Sequence, residues 1–416
     1  MIGVKILRNT RIANNTVMLM IFNIAKILFP FITLPYLTRV LTTETYGVVT
    51  YVKTVMTYMQ ILVDFGFILS ATKDIVKVRE DKEKMGRVIG DTMVARIILA
   101  LLGFVIVLIL SFALPILREN VLYTVLSYIV VFESIFLMDF LFRGIERMHI
   151  ITIRFIVMKL ISTILTFFLI KSDANVLLIP ILDIISSTVA ILLVFAEIKK
   201  MKIKMSFSKI ANSLKSIKDS FIYFLSNVAS TSFNALSTII IGIYIGKTEV
   251  AYWGVCMQIV GSIQACYTPI SDGIYPEMIR TKNINLIKKM LIIFLPIVLI
   301  GCVLAYFLAN PVFWILGGEE YLNAVPIFRL LIPALFFGFF AVMLGWPTLG
   351  SIGKTKETTI TTVVSMVGYI LLLGLLIVTN SFTLINVAIV RSITEFILFG
   401  TRFLYFKKFK NLFFRN

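Results

Sequence analysis

A single histidine, His149, occurs in the 416 residues, and the three cysteines, Cys256, Cys266 and Cys302, show no metal-ligand spacing. A histidine-based metal cluster or catalytic triad has no material, so no metal and no cofactor are expected. The cysteines, all inside apolar runs, read as small core hydrophobes. No glycine-rich phosphate loop of the G-x-x-x-x-G-K-S/T form occurs, and no loop is long enough for a nucleotide-binding domain. Charge is scarce as well: 15% of residues are charged, against about 25% in soluble domains.

Apolar residues take that place, at 59% of the chain. No soluble core of this size hides so much apolar surface, so an all-α polytopic membrane protein is expected. Runs of about 20 apolar residues cross the hydrocarbon layer as helices. About twelve are read, near 14–38, 46–70, 92–114, 121–142, 151–170, 175–196, 219–245, 250–275, 290–310, 324–349, 358–379 and 383–405. Pro269, Pro326, Pro333 and Pro347 interrupt the later ones. The first run is too long for a signal-peptide core and lacks a small-residue cleavage site, so it reads as a span.

Basic residues exceed acidic ones by 40 to 22, a formal net charge of +18. In a soluble protein that excess would suggest nucleic acid. Here the basic residues sit in loops, which points to topology and to anionic membrane lipids, with no nucleic-acid partner. One side carries 30 of the 40 Lys and Arg: Lys5, Arg8 and Arg11, Lys73 to Arg87, Arg143, Arg147 and Arg154, Lys199 to Lys218, Arg280 to Lys289, Lys354 and Lys356, and Arg402 to Arg415. The other carries Arg39, Arg118, Lys171 and Lys247. The split predicts an even number of spans with both termini cytoplasmic.

A short pattern occurs twice. Thr43-Glu44-Thr45-Tyr46-Gly47-Val48 is echoed by Thr248-Glu249-Val250-Ala251-Tyr252-Trp253-Gly254-Val255, and Asp64-Phe65-Gly66-Phe67 by Asp272-Gly273-Ile274-Tyr275. Gly47 and Gly254 stand 207 positions apart, as do Gly66 and Gly273. Matched features at one offset argue for an internal duplication, and a chain of two similar halves suggests a carrier with its substrate between them. The expected domains are an N-terminal lobe at 1–197, a basic cytoplasmic linker at 198–218 and a C-terminal lobe at 219–416. The linker reads as a solvated connection or as an amphipathic segment on the inner membrane surface.

Twelve charges fall within spans: Lys26, Lys53, Arg96, Lys159, Arg329 and Arg391, with Asp64, Glu133, Asp139, Asp183, Asp272 and Glu395. Each costs about 2.5–3.5 kcal/mol on insertion scales, so it normally faces a bundle interior, a partner or water. Arg96, Asp139, Asp272 and Arg329 lie near span ends, where snorkelling accounts for them. Lys26 shares a helical stripe with Asn15, Asn23, Pro30 and Thr33. Lys53, Gln60 and Asp64 make a second, and Asn227, Ser230, Asn234 and Ser237 a third. The stripes suggest a water-filled cavity, with Lys26, Lys53, Asn23, Gln60 and Asn234 as candidate substrate-binding residues. Arg391 and Glu395, at i and i+4, read as a structural ion pair. Asp64, Glu133 and Asp183 are candidates for a coupling proton or sodium ion, with helix–helix bonding as the alternative.

Pro35-Tyr36-Leu37-Thr38-Arg39-Val40-Leu41, then Tyr46-Gly47, Asp64-Phe65-Gly66 and the basic loop Lys73 to Arg87, resemble the polysaccharide-repeat (Wzx-type) flippases. These belong to the multidrug/oligosaccharidyl-lipid/polysaccharide exporter superfamily. The specific residues cluster in the first 90 positions, and the second half matches by topology. The resemblance implies two six-helix lobes around a V-shaped cavity. It also implies translocation of an undecaprenyl-diphosphate-linked oligosaccharide (O-antigen, capsule or other glycan) by alternating access, with no covalent chemistry. By helix and stripe, Lys26 and Lys53 fit the basic residues that meet the diphosphate; Arg39, with Tyr46 and Gly47, is a gate or structural motif. Polymerase and chain-length proteins of the same pathway are implied partners. Two alternatives are a multidrug/cation antiporter of the same superfamily and a membrane glycosyltransferase or polymerase. The first is disfavoured by Lys26 where an acidic residue would suit cationic drugs. The second is disfavoured by short outer loops and the lone His149.

Overall fold

The computed structural model describes the backbone of residues 2–413 and the side chains of 14–225, 227, 228, 231 and 235–413. Lys5, Arg8, Arg11 and Arg415 of the charge pattern, and Ser230 and Asn234 of the third stripe, lie outside the described side chains. Every regular element is helical. In order they are α1 (Ile2–Val40), α2 (Thr43–Asp64), α3 (Phe67–Val78), α4 (Lys82–Ala113), α5 (Pro115–Glu119), α6 (Val121–Glu133), α7 (Asp139–Gly144), α8 (Met148–Leu169) and α9 (Leu178–Lys200). There follow α10 (Ile210–Tyr244), α11 (Lys247–Ala265), α12 (Tyr267–Thr281), α13 (Ile284–Gly317), α14 (Val325–Leu344), α15 (Thr355–Val378) and α16 (Leu384–Lys408).

Ten stretches among the described residues are helical, long and apolar enough to cross a membrane. They match ten of the runs read from sequence. The remaining two, near 219–245 and 250–275, fall on α10 and on α11 with α12. Both are helical, but polar residues such as Gln258, Ser262 and Gln264 dilute the apolar surface of α11, and Cys266 divides it from α12. Ala235–Tyr244 is the apolar C-terminal stretch of α10. Three of the four interrupting prolines stand where helices start or break. Pro269 lies in the first turn of α12, Pro326 in the first turn of α14, and Pro347 in the wide π-type turn Gly345–Leu349 that ends α14.

The chain forms two compact units, Met1–Thr231 and Ser232–Asn416, so the boundary falls inside α10. In unit 1, α8 packs on α1 and α9, α2 on α4 and α6, and α3 on α7. Its core joins Phe65, Phe67, Ile75, Ile89, Met138, Phe140 and Phe142. In unit 2, α14 packs on α16, α13 and α11 around Tyr267, Met278, Phe339 and Met343. Gly66 has φ 80°, a left-handed conformation that favours glycine, and turns α2 into α3. Its sequence echo, Gly273, lies inside α12 without a turn. That echo in residues is therefore not an echo in backbone.

A different correspondence does exist. The fourth span breaks after Glu133 into a 3₁₀ turn, Ser134–Leu137, and a left-handed Met138 (φ 49°) before α7. In unit 2 the helix α14 breaks at Gly345. Met138 and Gly345 stand 207 positions apart, as Gly47 and Gly254 do. Carbonyls at a break inside a membrane need donors from neighbours. Arg96 Nη1 donates to Ile135 O at 3.2 Å and Arg154 Nη1 to Leu137 O at 2.6 Å. In unit 2, Arg402 Nη1 donates to Ala341 O at 2.6 Å and Thr348 Oγ1 to Met343 O at 2.7 Å.

Candidate functional site

Unit 1 encloses a cavity of about 610 Å³ lined by α1, α2, α6, α8, α9 and Thr231. Helical spacing explains which side chains reach it. Lys26, Pro30 and Thr33 recur at i, i+4 and i+7 on α1, and all three line it. Lys53, Thr57 and Gln60 do the same from α2. A further stripe comes from α8, where Lys159, Ser162, Thr163 and Thr166 recur at i, i+3, i+4 and i+7. Lys159 is counted above as an intramembrane charge but not as a site residue, although the same spacing marks it. From α9 comes Asp183.

Three lysines, Lys26, Lys53 and Lys159, and one carboxylate, Asp183, thus line the cavity. Asp183 Oδ1 accepts from Ser162 Oγ at 2.8 Å and lies 3.7 Å from Lys159 Nζ, both side chains 34% exposed. Lys53 feels both groups, repelled by Lys159 and attracted by Asp183. Lys26 Nζ lies 4.5 Å from the Phe22 ring centroid, a cation–π contact on its own helix. Gln60 Nε2 donates to Ser134 Oγ at 2.9 Å, tying the cavity wall to the helix break. Asn23 is exposed and outside the lining.

The other two carboxylates read as ion-coupling candidates are placed away from the cavity. Asp64 Oδ1 lies 2.5 Å from Arg96 Nη2. Glu133 Oε1 accepts from Thr188 Oγ1 of α9 at 2.7 Å. Arg96 does not snorkel: it is 5% exposed and also donates to Val63 O and Ile135 O. Asp139 likewise is held inside, 2.6 Å from Arg154 Nη2. Arg154 and Arg402, read as loop cations, are buried on backbone carbonyls. Arg154 is held by Leu137 O and the Asp139 carboxylate, and Arg402 by Ala341 O with the Thr361 and Thr362 hydroxyls, partners that a buried arginine requires.

The repeated motif lies at the α1–α2 corner. Arg39 is exposed in the last turn of α1, Tyr46 is half-buried, and Gly47 is buried in α2. Thr42 caps α2, its side chain accepting from Thr45 N. Asp173, before α9, then accepts from Thr42 N (2.9 Å) and Thr42 Oγ1 (2.7 Å). The Tyr36 hydroxyl lies 2.7 Å from Ile170 O and accepts from Lys171 Nζ at 3.2 Å. The motif thus clasps the α8–α9 turn, a role not visible in its spacing. In unit 2, Arg391 Nη2 lies 2.9 Å from Glu395 Oε1, and Gln264 Nε2 is 3.5 Å from the same oxygen. Among the described residues no cluster of His, Cys, Asp and Glu could hold a metal ion.

A family model described as "Polysaccharide biosynthesis protein" matches residues 12–282. Two curated proteins named "Putative O-antigen transporter" are similar. The one from Shigella dysenteriae is 25% identical over 316 residues, covering 74% of this chain and 78% of that protein. The one from Escherichia coli (strain K12) is 24% identical over 284 residues, covering 67% and 68%. Among solved structures, an inward-facing multidrug resistance MATE family transporter of the MOP superfamily superposes with TM-score 0.74 at 15% identity, covering 92% and 94%. The lipid II flippase MurJ, in an inward closed conformation, gives 0.70 at 14%, covering 95% and 87%. These two likenesses show the fold, the two-lobe arrangement of that superfamily.

Proposed function

The chain belongs to the polysaccharide biosynthesis protein family, and from that premise we propose that it is a transporter, not an enzyme. Its cargo is an undecaprenyl-diphosphate-linked oligosaccharide repeat. It moves that lipid from the inner to the outer leaflet of the bacterial cytoplasmic membrane by alternating access, drawing on an ion gradient or the membrane potential. The observation that carries this reading is the grouping of Lys26, Lys53 and Lys159 around one cavity. Lysine binds phosphate well as a point charge, and a lining of three lysines and one carboxylate favours an anion. The same balance disfavours a cationic drug, which the fold alone would permit. Hydroxyls of Thr33, Thr57, Ser127 and Thr163 supply partners for sugar.

In this reading 1–197 is the N-terminal lobe, 198–218 a basic linker against anionic lipid, 219–416 the C-terminal lobe, and both termini are cytoplasmic. Lys26, Lys53 and Gln60 bind the diphosphate end, with Asn23 and Asn234 as outlying candidates. Arg39, Tyr46 and Gly47 belong to the α1–α2 corner that bounds the cavity's α1 wall. The test is the lipid-linked glycan pool of cells lacking the gene. Accumulation of a completed repeat unit, inaccessible from outside, is expected. An unchanged pool with new sensitivity to cationic dyes would point to drug export, and an incomplete repeat to an enzyme.

A further inference from the structure

Among the described residues, Glu133 is the intramembrane carboxylate of unit 1 that makes no ion pair. Among the described residues, Asp64 is paired with Arg96, Asp139 with Arg154 and Asp183 with Lys159. Glu133 has hydroxyl partners instead: Thr188 Oγ1 donates to Oε1 at 2.7 Å, and Ser187 also acts on the carboxyl. The second oxygen, Oε2, is enclosed with no hydrogen bond of good geometry among the described residues. The helices packed on α6 are α2, α4, α5 and α9. Their intramembrane charged groups are Lys53 and Asp64, Arg96, and Asp183, each turned to the cavity or to a partner named above, and none forms an ion pair with Glu133. Glu133 as a whole is half-buried, but ionisation puts charge on the shut-off Oε2, which has no donor, whereas the neutral acid keeps the Thr188 bond.

We propose that Glu133 is a proton-binding site, loaded and emptied during transport, that ties a proton gradient to the break in the fourth span. Its place in the fold carries this. Glu133 is the last residue of α6, directly before the 3₁₀ turn. The next residue, Ser134, accepts from cavity-lining Gln60 at 2.9 Å and donates to Val131 O at 2.6 Å. Ionised, Glu133 needs donors that Thr188 and Ser187 cannot fully supply, so α9 or the break must shift, or water must enter. Either change reaches the cavity wall through Ser134. A sodium ion fits less well. Hard cations take about six oxygens, while the break carbonyls of Ile135 and Leu137 are occupied by Arg96 and Arg154. The proton comes from and returns to bulk water, and no bond other than O–H forms or breaks.

The proposal rests on the transport reading but is tested apart from it. Infrared difference spectra of the full-length protein in nanodiscs, titrated with acid, should show a carboxylic-acid carbonyl band. Glu133→Gln, which keeps the shape and the Thr188 bond, should lack it; identical spectra for the two proteins overturn the proposal. In proteoliposomes, an imposed pH gradient should speed wild-type flipping of undecaprenyl-diphosphate-linked oligosaccharide by about fivefold or more. Glu133→Gln should flip at a rate indifferent to the gradient, and an equal response in the variant overturns the proposal. Should the wild type flip no such lipid while the band still depends on Glu133, the cargo assignment falls and the proton site stands.

Discussion

The cavity of unit 1 and the Arg391–Glu395 pair of unit 2 handle charge inside the membrane differently. Unit 1 leaves lysines half-open around a cavity, with Lys159 and Asp183 a third exposed at 3.7 Å. In unit 2 the pair Arg391 and Glu395 closes on itself: Arg391 is 1% exposed and Glu395 6%, at 2.9 Å. Yet both units break a helix at positions 207 apart and place a buried arginine on a carbonyl beside the break. The two breaks thus correspond in position while the charges around them differ. Buried pairs with good geometry hold a fold together, while accessible, loosely partnered cations are available to a ligand.

The largest expected effect separates the units most sharply. Lys26→Glu places a carboxylate where the diphosphate is proposed to sit. Like charges at a contact cost several kcal/mol, so transport should fall about 100-fold or more with insertion intact. Normal surface glycan in this variant would remove Lys26 from the site. Arg391→Ala should do the reverse, lowering abundance rather than transport per molecule. It strands Glu395 in the interior of unit 2, a change that costs about 3–5 kcal/mol. Quantitative blotting beside a transport assay distinguishes the outcomes, and normal abundance with lost transport would contradict a structural pair.

Next come the matched breaks. Arg154→Met and Arg402→Met each leave a break carbonyl without its arginine. A loss of about 2–3 kcal/mol in thermal stability is expected for Arg402→Met, and a larger one for Arg154→Met, which also strands the Asp139 carboxylate. A loss confined to one unit would show that the breaks are not equivalent. Smallest is Tyr36→Phe, which removes the hydroxyl bonded to Ile170 O and Lys171 Nζ at the α1–α2 corner, about 1–2 kcal/mol. Faster hydrogen exchange confined to the α8–α9 turn is the expected signature.

Much of this was legible in the residues. Lys26 and Lys53 stood out because a mid-span charge repeats with polar neighbours at helical spacing, and the same rule marks Lys159 with Ser162, Thr163 and Thr166. The pairing of Asp64 with Arg96, 32 positions away, was not legible, since spacing speaks only within one helix. Arg154 and Arg402 were misread as loop cations because hydropathy locates a span's end without seeing carbonyls that a break exposes nearby. Gly66 and Gly273 misled in another way: a shared glycine does not require a shared turn. Met138 and Gly345 share no residue type, so their correspondence emerges only in the backbone.

The central claim is that unit 1 holds the diphosphate end of the cargo. Photoreactive undecaprenyl diphosphate, crosslinked to the protein in membranes and mapped by mass spectrometry, tests it most directly. Adducts on the α1, α2 and α8 peptides that contain Lys26, Lys53 and Lys159, competed by unlabelled lipid, are the predicted result. Competable adducts confined to α11–α16, with none on those three helices, would contradict it.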